Sequence, residues 1–418
     1  MSQPAPADKR FFRLILYLIP ALLDCITGIF VFIGPVRTAL MGHDPLVAGS
    51  MVTARSAACC LVGFLVSRFL TVNNAVRLMF FGNIMLIGVC LLGVGAVNLT
   101  MLYATSALVG VFQVIFFSAF QLHMKSVDAD VSKPLERVVG TYTLAWCSGM
   151  SIGPFLTGFL MRLGAPDASG RTTGWVYAYL AAAALTLAML AALAWVAKNG
   201  AAFLRRPEGA EGGEASPAAA GRPDLAWLGW CMGFVGLIAA GIVKGVFPSE
   251  ITRAGMPEWR AGSIMMAMAL VTGGFGFLLS FRRRWLYSGA SLGLLGLAGT
   301  AGLAFFVLPF LIGRGLLASV WPFYAGAILF GAYSGVIYLY SCFHSLSHPE
   351  KASRNIALNE CFISGGGIIG PLLGGWLAGR HGFYLPFGVA SLLILLLAVF
   401  QWRAHRRYEK PPAGQAAA

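Results

Sequence analysis

Four ionisable side chains, Asp24, Arg55, Lys244 and Glu360, stand inside long runs of apolar residues. A charge at mid-membrane costs about 2.5–3.5 kcal/mol on insertion scales, so it normally faces a partner or an aqueous cavity. The chemistry open to these four is ion pairing, proton exchange and the binding of a charged cargo. Asp24 and Arg55 fall at similar depth on neighbouring runs, so an ion pair between them is expected. Lys244 has only Glu250, six residues on at the rim, as an acid in its own run. It either snorkels to the surface or meets an anion in a cavity. Glu360 follows Asn359, and its nearest basic residue in the same run, Arg354, is six residues back and off its helical face. It is the expected proton site. Gln113 and Asn359 complete the set of substrate or proton-binding candidates. His123 and His344, late in the fourth and tenth runs, read as interfacial.

The same four charges exclude other chemistries. A membrane-embedded enzyme would need paired acids or a His/Asp cluster at one interface, and the two deep acids lie in different halves at different depths. No catalytic residue is expected. No Cys-x-x-Cys spacing occurs, and all eight cysteines lie in apolar runs, so they read as free packing thiols. Neither a metal nor a cofactor is expected. No nucleotide-binding motif is present, so ATP is not the expected direct energy source.

The elements that must carry these residues follow from composition. The chain of 418 residues is 58% hydrophobic and 11% charged, with mean hydropathy +0.76. A soluble domain of this size cannot bury that much apolar surface. Twelve apolar runs of near twenty residues or more recur, each long enough to cross a hydrocarbon core of about 30 Å. Backbone groups in lipid must be satisfied within their own segment, so the runs are helices. The first is too long for a signal peptide and reads as a span. With both termini cytoplasmic, 21 of the 30 Lys and Arg fall in inner segments, seven in outer ones, and Arg55 and Lys244 inside spans. That bias fits the positive-inside rule with an even number of spans. The net charge of +14 is therefore topological, and no nucleic-acid partner is expected.

The chain also repeats itself. "GTYTLAWCSGMSIGPFLTG" from Gly140 matches "ALNECFISGGGIIGPLLGG" from Ala357 at a constant offset of 217, so Gly149, Gly153, Pro154 and Gly158 fall on Gly366, Gly370, Pro371 and Gly375. "AGSMVTARSAACCLVGFLVS" from Ala48 matches the stretch from Ala261 at offset 213. Two parallel copies of six spans result, over 1–200 and 225–418, joined by a Gly-, Ala-, Pro- and Glu-rich flexible cytoplasmic linker over 201–224. Small residues four apart let helix backbones approach, and proline bends a helix. Glu360 falls on Thr143 and so breaks the repeat's symmetry.

This organisation resembles the major facilitator superfamily over essentially the whole chain. The fifth-span motif of its antiporters is matched by Gly140, Gly149, Gly153, Pro154 and Gly158, with Thr157 as a departure, and again by Gly366, Gly370, Pro371, Gly374 and Gly375, with Ala357 as a departure. The resemblance implies an all-α membrane protein of twelve helices in two pseudo-symmetric halves. It also implies a secondary active transporter working by alternating access, with the Gly-Pro faces along the seam between the halves. The expected activity is proton-coupled export of a small molecule. The alternatives are uptake of a small organic anion met by Lys244 and Arg55, and a transporter-shaped sensor or assembly partner. The expected setting is a bacterial inner (plasma) membrane, with the protein a monomer in the lipid bilayer. Two family features are eroded. The loop motif keeps Gly63 and Arg68 but has Ser67 in place of Asp and Leu70 in place of Gly. Its second copy has Gly276, Ser280 and then Arg282, Arg283 and Arg284, so the latch of the inner gate is in doubt. The arginine three residues before Gln113 is replaced by Gly110.

Overall fold

The computed structural model describes residues 6–127, 134–164, 173–199, 224–312, 319–348 and 351–409. The expected linker, Asp224 apart, lies outside the described residues. Twelve helices are long and apolar enough to cross a membrane, and no strand occurs among the described residues. They are α1 (Pro6–Leu40), α2 (Pro45–Val66), α3 (Val72–Val94), α4 (Leu99–Val127), α5 (Leu135–Arg162), α6 (Gly174–Asn199), α7 (Ala226–Arg253), α8 (Glu258–Leu279), α9 (Gly289–Ile312), α10 (Trp321–Leu346), α11 (Ala352–His381) and α12 (Tyr384–Glu409). The chain is a multi-pass membrane protein.

Local sequence sets the helix starts. Asp44 caps α2, its Oδ1 accepting from the Leu46 N–H at 2.7 Å, with Pro45 pre-set for the first turn. Asp224 accepts from the Ala226 N–H at 3.2 Å at the start of α7, and Lys351 donates to it at 3.1 Å. All eight cysteines are free thiols.

The repeat in sequence is a repeat in packing. Within the first half α1 packs on α5 and α6, α2 on α4, and α3 on α4 and α6. The second half reproduces this with α7 on α11 and α12, α8 on α10, and α9 on α10 and α12. Two seams join the halves, α5 against α8 and α2 against α11.

The glycine stripe expected to lie across the seam divides between two neighbours. A Cβ at Gly149 would collide with the Ala21 backbone, and one at Gly153 with the backbone of Cys25, Gly28 and Ile29, all on α1 of the same half. Gly366, Gly370 and Gly374 likewise press on α7. Of the motif's glycines, only those at its ends cross the seam. Gly140 lies against Ser280 and Phe277, Gly158 against Glu258 and Trp259, and Gly375 against Pro45 and Leu46. The seam helices add their own glycines, at Gly262 against the Pro154 carbonyl and at Gly49 against the Pro371 carbonyl. A helix has more than one neighbour, and a stripe of small residues does not announce which one it meets.

The two seams are unequal. The α5–α8 contact runs the whole length of both helices, from Gly158 at one end to Gly140 at the other. At the end of the bundle bearing the chain termini, Glu136 pairs with Arg283, and the Arg137 guanidinium lies 4.4 Å from the Phe281 ring centre. The eroded loop therefore still makes an ion pair on this seam, with Glu136 on α5 supplying the acid. On the other seam the close contacts run from Asp44 to Ser56 on α2 and from Gly367 to Gly379 on α11, and Thr53 Oγ1 donates to the Ile368 carbonyl at 2.8 Å. Toward the terminal end Leu61, Phe64, Glu360 and Cys361 are exposed, and the two helices part around a cavity. At the far end Arg253 of α7 reaches across to the His43 carbonyl in the α1–α2 turn.

Candidate transport cavity

A cavity of about 310 Å³ occupies the terminal half of the bundle between the two six-helix halves. Asp24 on α1, Arg55 on α2, Gln113 on α4, Lys244 on α7, and Asn359 and Glu360 on α11 all line it. Six residues spread over 337 positions of sequence are thus brought to one space, because the five helices that carry them converge on the pseudo-symmetry axis.

The pairing among them differs from expectation. Arg55 does not bridge to Asp24; its Nη1 donates to Gln113 Oε1 at 3.0 Å. The cause lies at Gly110, where a Cβ would collide with the Arg55 backbone carbonyl. The missing side chain lets α2 close on α4, and Cys59 Sγ donates to the Gly110 carbonyl at 3.1 Å. Equal depth along two helices did not fix the direction in which Arg55 points. The guanidinium from α2 now holds the glutamine of a motif whose own arginine is absent.

Asp24 is 5% exposed, and its Oδ2 has no hydrogen-bond partner. It lies within electrostatic reach of both Arg55 and Lys244. Lys244 lines the cavity wall, so it does not snorkel to the rim. Asn359 is 4% exposed with an unpartnered Oδ1. Glu360, one residue on, is exposed into the cavity. With both acids ionised the four charges sum to zero, and each proton taken up leaves the cavity net positive.

Sequence reasoning missed the aromatic and amide lining. Gln121 Nε2 donates to Tyr142 Oη at 3.2 Å. Trp146 on α5 and Tyr338 on α10 meet edge to face, with ring centres 4.8 Å apart. Nothing in composition separates these rings from core aromatics. Glu136 was legible only as an acid in the first turn of α5. His123 and His344, near the ends of α4 and α10, are buried. His344 Nε2 lies 3.2 Å from the Leu286 carbonyl. No group of three or more His, Cys, Asp or Glu that could hold a metal occurs among the described residues.

No family model matches the chain, and no curated protein matches it. Solved structures do. The chain is similar to the crystal structure of a bacterial homologue of the human lysosomal transporter Spinster in an inward-facing, occupied conformation. That match has a TM-score of 0.67 at 15% identity, over 98% of this chain and 100% of that one. The inward-facing, unoccupied form of the bacterial homologue matches with a TM-score of 0.66 at 14% identity, over 98% and 100%. At this identity the likeness is one of fold. The fold is that of the major facilitator superfamily, two six-helix halves around a central cavity.

Proposed function

We propose that the chain is a secondary active transporter that carries a small organic anion together with protons by alternating access. The observation that carries the reading is the pair of cations, Arg55 from one half and Lys244 from the other, facing a single cavity. Similarity in fold to the bacterial homologue of a lysosomal transporter supports the class. An anion held by both cations binds the two halves at once, so its binding favours one arrangement of the halves over another.

Charge balance supports cotransport. A buried carboxylate oxygen without a donor is costly, and protonation of Asp24 Oδ2 relieves that cost. The protonated cavity is net positive and attracts an anion, and a bound anion in turn favours protonation, by reciprocity of linkage. Proton and anion then travel together, which is uptake under an inward proton gradient. Glu360 is the second acid on the path. The basic residues gather at the terminal end, which supports cytoplasmic termini, and the proposed setting is the plasma membrane. The antiporter-type motif of α5 favours a second reading, proton-coupled export.

The test uses purified protein with benzoate, succinate and glycerol phosphate as probe anions. At least one should raise the melting temperature of the parent, and Lys244→Gln and Arg55→Gln should each weaken that effect tenfold or more. In proteoliposomes an alkaline interior should drive accumulation of that anion. Accumulation driven by an acidic interior would establish export instead. Equal stabilisation of parent and both variants would end the anion reading.

A further inference from the structure

Beyond the central cavity, toward the far end, lies a second, much smaller space of about 30 Å³. Its walls are Val31 and Phe32 of α1, Pro154 of α5, Pro248 of α7, and Met265 and Met268 of α8, with the hydroxyls of Thr272 and Ser334 among the rest. Four side chains line both spaces: Trp146, Met150, Lys244 and Tyr338. They are the partition between the two. Trp146 and Met150 come from the first half, Lys244 and Tyr338 from the second. The Trp146–Tyr338 ring contact spans the halves across the middle of the bundle.

We propose that Trp146 and Tyr338 form the gate separating two compartments of one permeation path, and that the small far compartment expands to take the cargo when the halves exchange positions. Three features of the partition support this. It is one side chain thick, because the same residues touch both spaces. It belongs to neither half, so relative motion of the halves must part the rings or slide them. The far compartment is walled by methionines and prolines, and the flexible thioether adapts to a changing shape. Lys244 is the one charged residue on both faces. If the anion reading above holds, the cargo crosses the partition without losing its cation.

Cys147, beside Trp146, supplies a native reporter. It lines the far compartment, is 1% exposed, and does not line the central cavity. In protein with the other seven cysteines replaced, a thiol reagent is admitted from the terminal side, through the central cavity. Trp146→Ala and Tyr338→Ala should each speed labelling of Cys147 at least tenfold. Trp146→Phe and Tyr338→Phe, which keep a ring, should label like the parent. If the alanine variants melt early, Trp146→Leu and Tyr338→Leu keep apolar bulk without the ring and should still speed labelling. Parent-like labelling in folded variants that lack either ring would overturn the gate. Arg55→Gln, at a residue that lines the central cavity alone, separates the two proposals: it should weaken binding of the probe anion and leave Cys147 shielded. Loss of anion binding in every protein would remove the cargo assignment and leave the labelling result standing.

Discussion

Gly49 and Gly262 occupy equivalent places in the two seams, and each is pressed on a proline of the opposite half. A Cβ at Gly49 would lie 3.0 Å from the Pro371 carbonyl carbon and 3.3 Å from Gly375 Cα. A Cβ at Gly262 would lie 3.0 Å from the Pro154 carbonyl carbon and 3.2 Å from Phe155 Cα. The carbonyl oxygens are closer still. Every neighbour is backbone, so no side chain can swing aside. Overpacking of this kind costs about 1–3 kcal/mol. Both contacts lie toward the far end, which is closed in this structure, so the cost falls on this arrangement and is relieved when the far end opens. At about 2 kcal/mol the population ratio shifts roughly 30-fold. The substitutions sit in different seams, so their effects should add. Spin labels at exposed Leu46 and Trp376, on the far-end flanks of α2 and α11, read the gap directly once the native cysteines are replaced. Gly49→Ala should move population from the short to the long distance, and Gly49→Ala/Gly262→Ala should move more. Gly274→Ala, where an added Cβ meets nothing within 4 Å, is the control and should change nothing. A folded Gly49→Ala protein with the parent's distances would refute the idea that this seam opens.

Loss of the Glu136–Arg283 pair should act differently. Glu136 is 4% exposed, and leaving Arg283 without it should cost about 2 kcal/mol of stability. Glu136→Gln should lower the melting temperature without moving the Leu46–Trp376 distances, and Glu136→Arg/Arg283→Glu should recover part of the loss; a shifted distance distribution would mean that this pair is a gate. Gly153 meets the backbone of α1 in its own half, so Gly153→Leu should fold poorly, measured as lost monodisperse yield, and a fully stable variant would contradict the packing.

The helix count and the two-fold repeat were legible because hydropathy and the constant offsets are properties of the chain read along its length. The partners of particular residues were not, because they depend on the angle at which each helix is turned. Arg55 shows this most plainly. Its depth matched Asp24, but the absence of a side chain at Gly110 drew it to Gln113. Gly149 and Gly153 show it again, since their spacing promised a close neighbour and left open whether that was α1 or α8. Trp146 and Tyr338 were invisible for a third reason: an aromatic residue in an apolar run has the same appearance in a core and at a gate. The four charged cavity residues could be chosen from sequence because ionisable groups in apolar runs are conspicuous wherever the helices turn; amides are less so, since Gln113 and Asn359 stood out and Gln121, which lines the same cavity, did not.

The unequal seams have a mechanical consequence. At the terminal end the joint is held along α5 and α8 and free along α2 and α11, so it stands open there as a wedge, like a book on its spine, wide at the α2 and α11 flank and narrow at the spine. Work done against the membrane's lateral pressure is then concentrated on one side of the protein and in one leaflet. Lipids that raise packing pressure in the terminal-side leaflet oppose the open form shown here, and lipids that relax it favour that form, with no change in any contact inside the cavity.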